Sequence, residues 1–180
     1  NGGGTGWYGS SGSDKEKEKG KGKGKSSGPY VSVPYSERKW IRSDGTEVDL
    51  HKELLELKSA HDLLGLAGEF MCEFGVLHAS TCLHRIAKCE DRLEVHKDER
   101  VRWLASKATR ELVKYDKLKK PQTISKITWA VAKLDLRLHK MVARLSVEAL
   151  RKLPEFEAQQ LCNMMWAFAT MRAGDRELLD

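Results

Sequence analysis

Two segments near the C-terminal end of the sequence are nearly the same. Residues 121–134 (PQTISKITWAVAKL) recur 37 residues later as residues 158–171 (AQQLCNMMWAFATM). Four of the 14 aligned positions are identical, and four others exchange one apolar residue for another. Self-similarity at a period between about 20 and 50 residues is the signature of a solenoid, because each unit buries its apolar face against the next. We therefore expect a repeat architecture whose function depends on its surface rather than on a deep pocket.

The apolar positions within each copy predict a helix. They fall at 124, 127, 131 and 134 in one copy and at 161, 164, 168 and 171 in the other, in steps of 3, 4 and 3 residues. Such steps place side chains along one stripe of an α-helix. The alanines shared by both copies are small enough to let a neighbouring helix approach, and we interpret each shared tryptophan as a packing wedge. These structural repeat positions are Trp129, Ala130, Ala132, Trp166, Ala167 and Ala169.

A third and weaker copy lies upstream at residues 77–89 (LHASTCLHRIAKC). Alignment of Ala87-Lys88 with Ala132-Lys133 gives an offset of 45 residues and places His84 at the tryptophan position. An amphipathic stretch precedes each of the three copies, so the unit is predicted to be helix, short turn, helix. Breaks between helices are expected at Lys120-Pro121, Leu153-Pro154 and Ala173-Gly174.

The chain is therefore predicted to be all-α, an α-solenoid with a period of about 37–45 residues over residues 52–180. Its units cover about 52–90, 98–135 and 138–172, and a further unit is truncated. Residues 29–51 are predicted to be a linker, in which Tyr30–Val33 alone is strand-like. Residues 1–28 consist mainly of Gly, Lys and Ser. They hold too few apolar residues to offset the entropy of ordering, so we expect a disordered tail.

The repeat resembles a known family. Gln followed seven residues later by Trp-Ala-x-Ala, at a spacing of 37 to 40 residues, is similar to the octatricopeptide repeat, and residues 80–88 resemble first repeats of the same superfamily. That superfamily includes FAST-kinase-like and RAP-domain proteins, and repeat subunits of RNA-editing substrate-binding complexes. The resemblance implies a helical RNA-binding protein of mitochondria or chloroplasts that acts in transcript processing, stability or translation.

Charge is compatible with such a role without requiring it. The formal net charge is +6, and the tail contributes six Lys and three acidic residues, which leaves +3 for residues 29–180. A mildly basic domain is compatible with RNA binding. The run from Lys15 to Lys25 is either a nucleic-acid arm or, as we favour, a solvated flexible tail.

Histidine and cysteine spacing indicates no metal site. The four cysteines (72, 82, 89 and 162) match no zinc motif and are interpreted as buried, reduced thiols. We expect no metal, no cofactor and no membrane span, since no segment approaches 18 consecutive apolar residues. No paired carboxylates, nucleophile elbow or Gly-rich cofactor turn is present, so we expect a protein that is not an enzyme.

A polar row on the repeat helices is the candidate RNA-binding site. It lies off the apolar stripe and changes identity from copy to copy, whereas the stripe does not. One-base-per-repeat RNA binders use such a row, because amides and hydroxyls read base edges and lysines attract phosphates. The alternative is an ordinary solvent-facing side of the helix. The candidate residues are Thr81, Lys88, Gln122, Lys126, Lys133, Gln159, Asn163 and Thr170.

Two classes of function remain at this point. The partner is single-stranded RNA if the polar row reads bases. The alternative is a protein-binding scaffold within an organellar ribosome or RNA-processing complex, whose polar row would be more apolar or acidic. Lys126, Lys133 and Asn163 favour RNA.

Overall fold

The computed structural model describes residues 39–176, with side chains as far as Met171. This part of the chain is mostly helical, which confirms the predicted all-helical character. A short antiparallel hairpin precedes the helices, with β1 at Trp40–Ile41 and β2 at Glu47–Val48. The helices are α1 Leu50–Glu56, α2 Ala60–Glu69, α3 Val76–Lys88, α4 Arg92–Val95, α5 Glu99–Lys114, α6 Pro121–Lys133, α7 His139–Arg151 and α8 Ala158–Arg176.

Local sequence signals fix where several helices begin. Asp49 accepts a hydrogen bond from the Lys52 backbone N–H at 3.0 Å and caps α1. Ser59 caps α2 and Asp98 caps α5 in the same manner. Each of these side chains satisfies a backbone N–H that the first turn of a helix leaves unpaired. Pro121 occupies the first turn of α6, where its missing N–H costs nothing.

In chain order the long helices make three successive pairs: α2 then α3, α5 then α6, and α7 then α8. The first helices α2, α5 and α7 pack against one another in sequence. The second helices do the same, because α6 packs against α3 on one side and α8 on the other. Equivalent positions of the three copies are therefore carried by α3, α6 and α8, side by side.

The core follows the predicted apolar stripe most closely in α6. Ile124, Ile127 and Val131 are buried there, as is Leu134 directly after the helix. In α8 the equivalent Met164 is buried, and its neighbours on the stripe are partly buried. Small residues set the spacing of the second helices. Ala130 on α6 and Ala167 on α8 are both 0% exposed.

The N-terminal boundary differs from the predicted linker over residues 29–51. In the described part of that range the hairpin leads into α1, and Val48 and Leu50 are buried in the helical core. The sequence does not predict β1 and β2, because a strand of two residues is too short to show an alternation of polar and apolar side chains. The tail, residues 1–28, and Tyr30–Val33 lie outside the described residues. The break predicted at Ala173-Gly174 does not occur, since α8 continues to Arg176.

Candidate nucleic-acid interface

A cleft of about 440 Å³ lies where α3, α6 and the start of α8 meet. Five of the eight candidate residues line it, and they come from all three helices because the copies lie side by side. The structure thus brings together positions that are up to 75 residues apart in sequence, from residue 88 to residue 163. The five are Lys88, Gln122, Lys126, Gln159 and Asn163.

Three rings form a row across the same surface. His84 on α3 lies with its ring centroid 5.2 Å from that of Trp129 on α6. The Trp129 centroid lies 6.0 Å from that of Trp166 on α8, with the planes inclined by 37°. These are the equivalent positions of the three copies, and their separations are typical of interacting aromatic pairs. We call His84, Trp129 and Trp166 the aromatic row.

The two tryptophans differ in burial, since Trp129 packs against the core as a wedge would and Trp166 is largely open to solvent. Trp166 is 42% exposed, and Trp129 is half-buried between its two ring neighbours. The alanines beside them fill the contact between α6 and α8, so the rings are left at the surface of that contact. Ala169 is exposed, so it does not share the packing role of Ala130, Ala132 and Ala167.

Lysines surround the aromatic row. Lys88, Lys126 and Lys133 lie on α3 and α6, and none of them pairs with a carboxylate among the described residues. The Lys133 Nζ lies 5.7 Å from the centre of the Trp166 ring, within the range of a cation–π contact. These charges are therefore available to an external anion.

The electrostatic effect of this environment appears at His84. The pKa of His84 is lowered from 6.5 to about 4, chiefly by burial and also by the positive charges of Lys88, Lys126 and Arg85. The imidazole is therefore neutral at neutral pH and presents a ring face rather than another cation. The sequence alignment predicts a packing position for His84. It does not predict that His84 belongs to the aromatic row, because the first copy shares few residues with the other two.

The side-chain amides at the rim of the cleft differ in how many of their hydrogen-bonding groups are already used. Gln159 Nε2 donates to Asn163 Oδ1 at 3.2 Å, which leaves the Asn163 Nδ2 group for an external acceptor. Gln160 is engaged at both ends with Glu157, since it accepts from the Glu157 backbone N–H and donates to the Glu157 carboxylate. Ser125 Oγ donates to the Gln160 carbonyl at 3.2 Å and ties α6 to α8.

Three candidates do not line the cleft, and one of them, Lys133, lies instead beside Trp166. Thr170 donates its hydroxyl to the Trp166 carbonyl at 2.9 Å, and it is not among the lining residues. Thr81 is half-buried and does not line the cleft either. The cleft is also lined by Ser125, Glu157 and Gln160, which the sequence analysis does not predict. They line it because of how α8 packs against α6, and the sequence pattern does not give that packing.

The cysteines, the potential metal ligands and the length of the helices can also be compared with the sequence predictions. All four cysteines are free thiols, but only Cys82 and Cys89 are buried, and the expectation of burial is wrong for the exposed Cys72 and Cys162. Within residues 39–176 no group of three or more potential metal ligands comes together. No helix in that range combines the length and the apolar character needed to cross a membrane.

Comparison with known proteins gives one informative similarity. A chloroplastic RAP domain-containing protein of Oryza sativa subsp. japonica is 28% identical over 148 residues. The aligned region covers 74% of this chain and 23% of that protein, so the chain spans about a quarter of the length of the relative. No protein-family model matches the chain. No solved structure matches it.

Proposed function

We propose that this chain is part of an octatricopeptide-like α-solenoid that binds single-stranded RNA along α3, α6 and α8. The observation that carries the proposal is the aromatic row, three rings from three equivalent positions, set among lysines that have no carboxylate partner in the described part. Rings of this kind accept bases by stacking, because every base has a π-face. Lysines without partners attract the phosphates between those bases.

The row and the cleft suggest separate tasks for the residues. Trp129 and Trp166 hold unstacked bases, while Lys126 and Lys133 hold the backbone irrespective of sequence. Asn163 and Gln122 offer amide groups at the rim of the cleft to base edges. In this proposal the site binds and positions RNA and contains no catalytic group.

The setting of the proposal is organellar RNA metabolism, in transcript processing, stability or translation. Two independent similarities support it: the octatricopeptide-like repeat in the sequence, and a relative whose name records a RAP domain and a chloroplast. The chloroplast is the organelle that the relative favours over the mitochondrion. The tryptophan rings between the three lysines, rather than the positive charge alone, favour RNA over a protein scaffold on this same surface.

The proposal is tested by titrating the full chain with single-stranded RNA and with duplex DNA at two salt concentrations. A variant with all six lysines between Lys15 and Lys25 replaced by Gln removes the charge of the tail. We expect this variant to retain preferential binding of single-stranded RNA. Loss of all RNA binding in the variant, or equal affinity for the duplex, would contradict the proposal.

A further inference from the structure

A second cleft, of about 650 Å³, lies between the C-terminal half of α5 and the start of α7. It belongs to the row of first helices, whereas the aromatic row belongs to the second helices. We call it the α5–α7 groove. Its lining includes Thr109, Arg110, Leu138, Met141 and Arg144, together with Arg137 and Lys140.

The rim of the groove is strongly basic. Arg110, Lys140 and Arg144 are exposed, and none of them has a carboxylate partner among residues 39–171. Arg137 adds a fourth positive charge, with its Nε 3.9 Å from the exposed Asp135 carboxylate. No acidic residue lines the groove. Four cations close together repel one another, so an anionic ligand would relieve that repulsion.

The floor of the groove is aliphatic, unlike the polar floor expected of a site for a small ion. Leu138 and Met141 are half-buried and leave aliphatic surface open between the cations. Thr109 is 3% exposed, and its Oγ1 has no hydrogen-bond partner in the described structure. A buried hydroxyl without a partner costs free energy, and nearly all such groups in native proteins are paired. The groove offers a ligand apolar surface between its cations, while the Thr109 hydroxyl is buried from solvent.

These features favour a protein segment over RNA. His139 contributes an imidazole to the lining of the groove, but no Phe, Tyr or Trp lies there, so unstacked bases would find no ring as large as those of Trp129 and Trp166. A leucine–methionine floor between two packed helices is the surface on which an amphipathic helix lays its apolar face. The basic rim requires acidic residues on either flank of that face.

We propose that the α5–α7 groove is a docking site for an acidic amphipathic helix of a partner protein. The partner's apolar side chains lie on Leu138 and Met141, and its carboxylates pair with Arg110, Lys140 and Arg144. Because this groove is on the first helices, it is independent of the proposed RNA surface and can be occupied at the same time.

The test uses the full chain as bait for a display library of randomised helical peptides, followed by synthesis of the consensus peptide. We expect the selected peptides to combine Asp or Glu with apolar residues at helical spacing. Arg110→Glu/Arg144→Glu should weaken the consensus peptide by about tenfold or more, since it places like charges opposite one another. The neutral Arg110→Gln/Arg144→Gln variant should weaken it less, and circular dichroism should show unchanged helicity for both.

The matched control is Lys126→Glu/Lys133→Glu, which reverses two charges on the second helices. This control should bind the consensus peptide as the wild type does. The inference is wrong if the selected peptides are not acidic, or if the control weakens them as much as Arg110→Glu/Arg144→Glu does. It is also wrong if Arg110→Glu/Arg144→Glu lowers the affinity for a single-stranded RNA oligonucleotide instead of the affinity for the peptide.

Discussion

The second-helix surface and the α5–α7 groove are both basic, but they differ in what lies between their cations. On the second helices, Lys126 and Lys133 lie beside the tryptophan rings of the aromatic row. In the groove, Arg110 and Arg144 lie beside Leu138 and Met141. Positive charge alone attracts RNA and acidic proteins equally. The side chains between the charges distinguish the two, because rings stack bases and aliphatic groups pack against aliphatic groups.

The surfaces also differ in origin. The aromatic row arises from repetition, since each helix pair contributes one ring at an equivalent position. The groove arises at a single junction, where the turn after α6 brings the start of α7 against α5. A repeated surface extends with every added unit and suits a long strand. A surface made once suits a single partner segment.

The largest expected effect comes from removing one ring of the row. Trp166→Ala should weaken binding of single-stranded RNA by about 1–3 kcal/mol, the contribution of one base stacked on an aromatic side chain. Because Trp166 is 42% exposed, the loss of stability should be below the roughly 3–5 kcal/mol expected for a fully buried aromatic residue. Affinity is measured by fluorescence anisotropy and stability by thermal unfolding.

Trp103 provides the matched control for this change. It is also partly buried and has a lysine over its ring, with Lys107 Nζ at 5.8 Å, but it lies on α5. Trp103→Ala should leave the RNA affinity unchanged. Equal loss of RNA affinity in both variants would remove the distinction between the two rows of helices.

The sequence predicts the helix pairs and the buried stripe, but it does not predict the exposure of Trp166 or the α5–α7 groove. The period predicts the helix pairs, and the apolar steps predict the buried stripe of α6, because burial repeats with the helical turn. Whether Trp166 is buried depends on how closely α8 approaches α6, and local periodicity carries no information about that distance. The sequence does not predict the α5–α7 groove for a similar reason. Its cations come from α5, from the turn after α6 and from α7, and α5 is distant in sequence from the other two, although Lys140 and Arg144 do share one face of α7.

A smaller effect distinguishes two buried threonines. Thr109→Val in the groove removes a hydroxyl without a partner, so it should stabilise the free protein by up to about 1 kcal/mol. Thr128→Val on α6 removes a hydroxyl that donates to the Ile124 carbonyl at 2.9 Å, so it should instead destabilise the protein by about 1 kcal/mol. Urea unfolding measures both. Destabilisation by both substitutions would show that the Thr109 hydroxyl is satisfied in the free protein.

An amide at the rim of the cleft should affect sequence preference more than overall affinity. Asn163→Ala should weaken some single-stranded RNA sequences by about 1 kcal/mol and leave others unchanged, because its free Nδ2 group pairs with only some base edges. Gln160→Ala is the control, since that amide is engaged by Glu157. Binding to a pool of random RNA sequences is compared by sequencing the bound fraction. A uniform loss for Asn163→Ala would contradict base recognition.

A pH-dependent effect concerns the protonation of His84. Its pKa of about 4 lies below the ordinary 6.5, so between these values the unfolded chain binds a proton that the folded chain does not. Stability should therefore be complete above pH 6.5 and fall as the pH decreases towards 4. Bound RNA should raise the pKa of His84 by neutralising Lys88 and Lys126, whereas the acidic peptide in the groove should not. NMR titration of the imidazole protons measures both cases, and a pKa that RNA leaves unchanged would contradict an RNA site beside His84.

The most direct measurement compares two pairs of lysine and arginine substitutions in one salt series. Affinity for a single-stranded RNA oligonucleotide is measured for Lys126→Ala/Lys133→Ala and for Lys140→Ala/Arg144→Ala, both with the tail lysines replaced by Gln. The first pair should weaken all sequences alike and reduce the slope of log affinity against log salt by about 0.7 for each phosphate that the protein no longer neutralises. The second pair should change neither quantity. If the second pair reduces affinity and slope as much as the first, or if the first has no effect, the second-helix surface is not the site of RNA binding.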